Sequence, residues 1–256
     1  MKNNPLVSII IPVFNSKKFI KKNLRSIFFQ KYKKIEIIII DNKSTDGTLN
    51  AIPKNKKIKI VSEKDDGIYD AMNKGIKLSK GSIVTVLNSD DFYSYNSVIS
   101  EIVNLFKKKP NVMCIYGNLV YVSRNNVRKI VRVWKSSIYK PNLFLYGWNP
   151  PHPTLFLKKE CFKICGLYKN NIGNAADIEF MFKVFSNRKL STFFYDKELV
   201  KMRAGGSSNK SFYSILIQNI SILKFLKIYK NPYLVVRFIV FKLFNRISQI
   251  YYAKYL

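Results

Sequence analysis

The chain has 256 residues, 47% of them hydrophobic, with a formal net charge of +30. That composition excludes disorder and supplies a core large enough for one big domain, or a domain with an appendage. The 45 basic residues divide into 37 Lys and only 8 Arg, in a chain rich in Ile, Asn, Phe and Tyr. This is the pattern of AT-rich coding, and it fits a general attraction to anionic membranes or phosphorylated ligands better than base recognition, where Arg is preferred. No helix-turn-helix, zinc-finger spacing or RNA-binding aromatic motif is present, so no nucleic-acid partner is expected.

From the amino terminus, "LVSIIIPVF" (6–14) is an unbroken apolar run that predicts a strand buried on both faces of a parallel sheet. Ser16 stands at an N-cap position, followed by Phe19, Ile20, Leu24, Ile27 and Phe28 at helical spacing. "IEIIIID" (35–41) predicts a second strand, 47–52 a short helix stopped by Pro53, and "IKIVSE" (58–63) a third strand. Residues 67–79 predict a helix, "SIVTVL" (82–87) a fourth strand, and 96–108 another helix ended by Pro110. Repeated β-α-β units of this kind predict a doubly wound α/β sheet.

The pattern changes after about residue 110. "NLVYVSRNNVRKIVRVW" predicts a hairpin turning at Asn125-Asn126, and a Pro-rich loop, "WNPPHPT", leads into "LFLKK". Residues 177–187 predict a helix and "STFFYD" a strand; Lys210 to Leu256 holds eight basic residues, no acids and many aromatics, as two amphipathic helices broken at "KNPY". Cys114, Cys161 and Cys165 show no C-x-x-C spacing, which argues against a disulfide framework or structural zinc and fits a reducing compartment. The segment "MKNNPLVSIIIPVFN" lacks the features of a signal peptide, and no apolar run reaches the roughly 18 residues of a membrane span. The expectation is a cytoplasmic protein, peripheral at the inner face of the cell membrane.

Doubly wound sheets bind ligands at the carboxyl ends of their strands. The polar clusters fall there: Asn15, "DNKSTDG" (41–47), "EKDDG" (63–67) and "NSDD" (88–91), three of them acidic in a chain with 15 acidic residues. The adjacent carboxylates Asp90 and Asp91, alone no more than a hydrated turn or helix cap, in this company suit a hard divalent cation, Mn²⁺ or Mg²⁺, shared with substrate phosphates.

The blocks "SIIIPVFN" (8–15), "IIIIDNKSTDGT" (38–48), "SEKDDGIYDAMNKGI" (62–76) and "GSIVTVLNSDD" (81–91), continuing through "YGN", "HPTLFLKKECFKICGLY" and "ADIEF", resemble the family 2 glycosyltransferases in order and spacing. The third block is similar to the branch that builds bacterial surface polysaccharides. The resemblance implies a GT-A fold: a Rossmann-like, mostly parallel sheet flanked by helices, with a C-terminal amphipathic helical extension. It divides the chain into a GT-A domain (1–209), with a nucleotide-binding half (1–110) and an acceptor and base half (111–209), and a basic tail (210–256).

In that family's pattern Pro12, Phe14 and Asn15 line a uracil pocket, Asp41 reads the base, and the Asp66 to Asn73 block contacts nucleotide and ribose. Asp91 is then the metal ligand, with Asp90 nearer the ribose or sugar. Asp177 corresponds to the general base of an inverting enzyme, with a helix cap as its alternative role and Glu179 as a substitute. His152, the only histidine, would touch acceptor or donor sugar. Asn42 and Lys43, Ser82 and Lys183 depart from the family's usual residues. The implied function is transfer of a sugar from a nucleotide donor, a UDP-sugar, to a lipid-linked or growing saccharide, the acceptor carried on polyprenyl diphosphate. The tail would lie in the membrane interface or join two subunits as a homo-oligomer. A nucleotidyltransferase is disfavoured by the missing Gly-rich loop after the first strand. A non-catalytic membrane- or polysaccharide-binding module would need neither Asp91 nor Asp177.

Overall fold

The computed structural model describes residues 4–205 and 212–253; the expected boundary at 209–210 lies outside the described residues. β1 (Val7–Val13) is central, paired in parallel with β2 (Ile35–Asp41) on one side and β4 (Ile83–Val86) on the other, and β3 (Ile58–Ser62) pairs with β2. Alternation along β1 sends Val7, Ile9, Ile11 and Val13 into one core cluster and Ile10 into another. α1 (Lys17–Phe28) and α3 (Val98–Lys108) fill the first face, while α2 (Ile68–Leu78) covers the second through Met72 and Ile76. Gly75 permits the close approach of α2, because a Cβ there would stand 2.4 Å from Ile10 Cγ2.

The parallel order stops at β4. β8 (Phe156–Lys158) runs antiparallel between β4 and β6 (Val112–Val122), and β6 also pairs with β7 (Ile130–Trp134) antiparallel and β9 (Ser191–Arg203) parallel. β5 (Phe92–Tyr93) closes the far edge against β9, giving the order β3-β2-β1-β4-β8-β6-β9-β5, with β7 on β6. The sheet is therefore mixed: its amino-terminal half is all parallel, and beyond β4 the pairings are antiparallel except for β6 with β9. β9 runs seven residues beyond the expected strand, to Arg203, and the helix expected near 47–52 is a 3-10 turn at Leu49–Ala51.

Ser16 precedes α1 but makes no side-chain cap; its hydroxyl bonds the Phe14 carbonyl at 3.2 Å and the Ser89 hydroxyl at 2.7 Å. The free N–H of Lys17 donates to Asp46 Oδ2 at 3.0 Å. α4 (Glu160–Cys165), α5 (Ala176–Ser186), α6 (Phe212–Phe225) and α7 (Pro232–Tyr252) follow, with 3-10 turns at Leu143–Tyr146, His152–Thr154 and Asn170–Ala175. Asn231 caps α7, accepting from Leu234 N–H at 3.2 Å, and Pro232 sits in the first turn, where its missing N–H costs nothing. All three cysteines are free.

α7 has its polarity reversed for a helix lying on a domain. Phe238, Lys242, Asn245 and Gln249 form the inward stripe, whereas Val240, Leu243, Phe244 and Ile247 are each more than half exposed. No helix among the described residues is long and apolar enough to cross a membrane.

Candidate active site

The four polar strand ends are tied into one surface. Asn15 adopts a left-handed backbone (φ 47°), which Asn tolerates. Its N–H donates to Ser44 Oγ at 2.9 Å and its side-chain oxygen accepts from Thr45 N–H at 3.0 Å, joining the loops after β1 and β2. Asn42 joins the loop after β3 by accepting from Asp65 N–H at 2.8 Å, and Lys74 bridges Glu63, Asp65 and Asp70. Pro12 is buried within β1, and Phe14 at its exit is 59% exposed, an aromatic platform open to a ligand. Asp41 is fully buried. One oxygen accepts from Ser44 N–H and the Ser62 hydroxyl, at 3.1 and 2.7 Å. The other is buried with no partner among the described residues, and such an orphan acceptor favours a ligand N–H.

At the end of β4 the two carboxylates separate. Asp91 has no exposed surface: Oδ2 accepts from the Asn88 amide at 2.9 Å and Oδ1 from Arg203 N–H at 3.3 Å. Burial, with the neighbouring Asp90 charge second, pushes its carboxyl well above the usual range. The loop's backbone is clamped by buried Asn23 of α1, whose amide donates to the Asn88 and Asp91 carbonyls at 2.8 and 2.9 Å. Asp90 points outward, its side chain 24% exposed and 3.5 Å from Arg124. Arg124 and Arg203 lie against Phe19, 4.5 and 5.1 Å from its ring centre. The expected roles therefore do not match the packing: Asp91 braces the loop, and Asp90 is the accessible carboxylate.

No three metal-binding side chains come together among the described residues. A divalent cation fits this loop as an ion held by Asp90 and completed by substrate oxygens and water, the habit of Mg²⁺ and Mn²⁺.

Asp177 lies in the first turn of α5, after the cap residue Ala175, and accepts from Ile178 N–H at 2.7 Å. Burial raises its carboxyl to about 6, opposed by the Ile178 N–H and by a hydrogen bond from Tyr69. Tyr69 opens α2, directly after the acidic loop of β3, so Asp177 reaches the carboxyl edge of the sheet. Glu179 is buried and paired with Lys169 and Lys183 at 2.9 and 3.1 Å, which leaves it no free role.

Two of the expected ligand residues, Asn73 and His152, have partners within the chain. Asn73 is buried and its amide is spent on the chain, donating to the Tyr168 carbonyl at 2.9 Å and to Asn170 at 3.2 Å while accepting from Tyr168 N–H at 3.0 Å. It fastens α2 to the segment at Tyr168 and Asn170. His152 Nε2 and the Tyr168 hydroxyl share a hydrogen bond at 2.7 Å, and burial lowers the imidazole to about 4, so it is neutral at physiological pH. Asp66 stays exposed in its loop. Asn23, Tyr69, Arg124 and Arg203 were not anticipated. Asn23 had one readable signal, a polar residue within the stripe Ile20, Leu24, Ile27.

Residues 8–160 match the model of glycosyl transferase family 2. A curated relative from Rickettsia prowazekii, described as an uncharacterized glycosyltransferase, is 32% identical over 215 residues, covering 79% of this chain and 66% of its own length. A Mycobacterium bovis PGL/p-HBAD biosynthesis glycosyltransferase is 29% identical over 193 residues, 73% of each chain. The chain spans from about a third to two thirds of the length of the Rickettsia relatives it matches. Among solved structures, Staphylococcus aureus TarS 1-349 in complex with UDP-GlcNAc superposes with a TM-score of 0.64 at 21% identity, covering 85% of this chain and 66% of that one. The mannosyltransferase PcManGT from Pyrobaculum calidifontis, in complex with GDP-Man and Mn²⁺, gives 0.64 at 16% identity over 98% and 74%. These likenesses establish a shared GT-A fold.

Asp177 carries a stability signature. Its folded-state proton affinity exceeds that of an ordinary carboxyl, so its contribution is present at low pH and lost as pH rises through about 6. Asp177→Asn is expected to raise the melting temperature at pH 8 and to match wild type near pH 4. A variant less stable at pH 8 would show the carboxylate to be a structural anchor. With its domain matched over more than half its length, the chain belongs to glycosyl transferase family 2.

Proposed function

We propose that this chain is a metal-dependent, inverting glycosyltransferase that moves a sugar from a nucleotide donor, a UDP-sugar, to a hydroxyl of a lipid-linked or growing saccharide in surface-polysaccharide synthesis. The observation that carries this reading is the pairing of an outward Asp90 at the end of β4 with a proton-hungry Asp177 at the same edge of the sheet. The base of the nucleotide would stack on Phe14 and donate an N–H to the unpartnered oxygen of Asp41. Asp90 would hold the divalent ion, which neutralises charge building on the departing diphosphate. Asp177 would take the acceptor proton as that oxygen bonds to the anomeric carbon from the opposite face. The bond from that carbon to the diphosphate breaks, and its electron pair leaves with the nucleotide. A carboxyl near 6 is ionised at neutral pH yet still basic enough for this work.

UDP, GDP and dTDP, each with Mn²⁺ or with EDTA, test the donor side by thermal shift. UDP is expected to stabilise the chain only with metal. Stabilisation by GDP alone would reassign the base, and no stabilisation by any of them would overturn the reading. Asp177→Asn is expected to keep nucleotide binding and lose about 10²–10⁴-fold in transfer; loss of binding would remove its role as base.

We also propose that the outward face of α7 lies in an anionic lipid interface. Leu243, Phe244 and Ile247 are 56%, 67% and 67% exposed, and no acidic residue follows Glu198. Apolar contact area with basic flanks is the combination that binds negatively charged bilayers. Flotation with phosphatidylglycerol liposomes, weaker with phosphatidylcholine, is expected. A dimer in light scattering without flotation would assign this face to a second copy.

A further inference from the structure

α7 presents cations beside the candidate base, Lys242 on its inward stripe and the exposed Arg246 on its flank. Lys242 lines a small cavity with Trp148, Asn149 and Ile178, the last adjacent to Asp177. Its ammonium donates to Asn219 of α6 at 2.6 Å. The helix is seated closely there, since a Cβ on Gly147 would lie 2.9 Å from Lys242 Cβ. One turn on, Arg246 is near enough to Lys242 and Arg132 for their charges to repel. Arg132 of β7 is fixed toward α7 by donating from Nε to Gln249 at 2.6 Å, with its guanidinium 4.6 Å from the Tyr121 ring centre.

Among the described residues, none of these three cations has a carboxylate within ion-pair distance. Asp177 attracts Lys242 only at longer range, and burial still lowers the ammonium to about 8. Like charges held together without a counter-ion cost free energy, which an arriving anion would offset. The donor diphosphate would lie at Asp90 instead; Tyr121, under the Arg132 guanidinium, is near enough to Asp91 and Asp177 to feel both charges.

Resting on the glycosyltransferase reading, we propose that Arg132, Lys242 and Arg246 bind the phosphate groups of the acceptor itself, the diphosphate joining its lipid to its first sugar. Lipid would meet the outer face of α7 while the diphosphate meets the inner and flanking side of the same helix. Because Lys242 adjoins Asp177, the reactive hydroxyl would lie within a sugar or two of that diphosphate. The acceptor is thus a short, newly primed lipid saccharide, which places the reaction after the step that attaches a first sugar phosphate to the lipid.

The test uses the full chain and farnesyl diphosphate, a soluble prenyl diphosphate, titrated in EDTA by calorimetry. Wild type is expected to bind it. Binding should fall at least tenfold in Lys242→Gln/Arg246→Gln, two charge-assisted contacts being removed. Manganese-dependent UDP binding should remain unchanged in the variant. Equal binding of farnesol would reduce the site to apolar contact, and equal binding of inorganic diphosphate would reduce it to an unspecific anion site; either overturns the proposal. Loss of UDP binding in the variant would overturn it by giving the cations to the donor. Farnesyl diphosphate binding that depends on the cations, in a chain that binds no nucleotide, would support the phosphate site and defeat the transferase reading instead.

Discussion

A carboxyl group sealed from water, that of Asp91, organises the loop at the end of β4. Asp91 accepts from the Asn88 amide and from the backbone of Arg203, and buried Asn23 grips the same loop by two carbonyls. Together these bonds join α1, β4 and the end of β9, the first and last parts of the catalytic unit. A buried charged or polar group left without partners costs more than a bond contributes. The loop therefore has little freedom, and Asp90 is left as the residue that turns outward. The neighbouring loops are fixed in the same way, by Asn15, Asn42 and the contact between Ser16 and Ser89.

The first half of the fold was legible because its strands are apolar runs of Ile and Val long enough to be buried on both faces, with helical stripes between them. The second half was less so. β5 has two residues and β8 three, too short for any periodicity, and both are strands because a long neighbour offers them an edge. The antiparallel insertion of β8 between β4 and β6 is a tertiary choice that no local pattern encodes. Ser16 read as a cap, but its hydroxyl is used between loops, while Asp46, distant in sequence, receives the N–H of Lys17.

The site divides similarly. That acids gather at strand ends was visible, whereas Asp177 stood out only through the family resemblance. Which of two adjacent acids faces outward was not, because it depends on Asn88 and Arg203 reaching Asp91. Asn73, a nucleotide contact in the family's pattern, is turned inward by its helix, where Tyr168 uses both ends of its amide. The cations of α7 were visible only as part of a basic tail. Their placement near Asp177 comes from the docking of α7 on β7 and on the turn at 143–146, with polar residues inward. That inversion links the tail to the reaction site, so the surface proposed to meet the membrane and the residues proposed to meet the acceptor belong to one helix.

The division of labour between the paired acids is the central claim, and Asp90→Ala and Asp91→Ala, compared by thermal melting and by calorimetric titration of UDP with Mn²⁺, test it most directly. Asp90→Ala is expected to melt like wild type and to lose metal-dependent UDP binding. Asp91→Ala is expected to melt at a clearly lower temperature, since it leaves the Asn88 amide and the Arg203 N–H unpaired. An Asp91→Ala chain of normal stability that has lost metal-dependent binding, beside an Asp90→Ala chain that binds normally, would contradict the account.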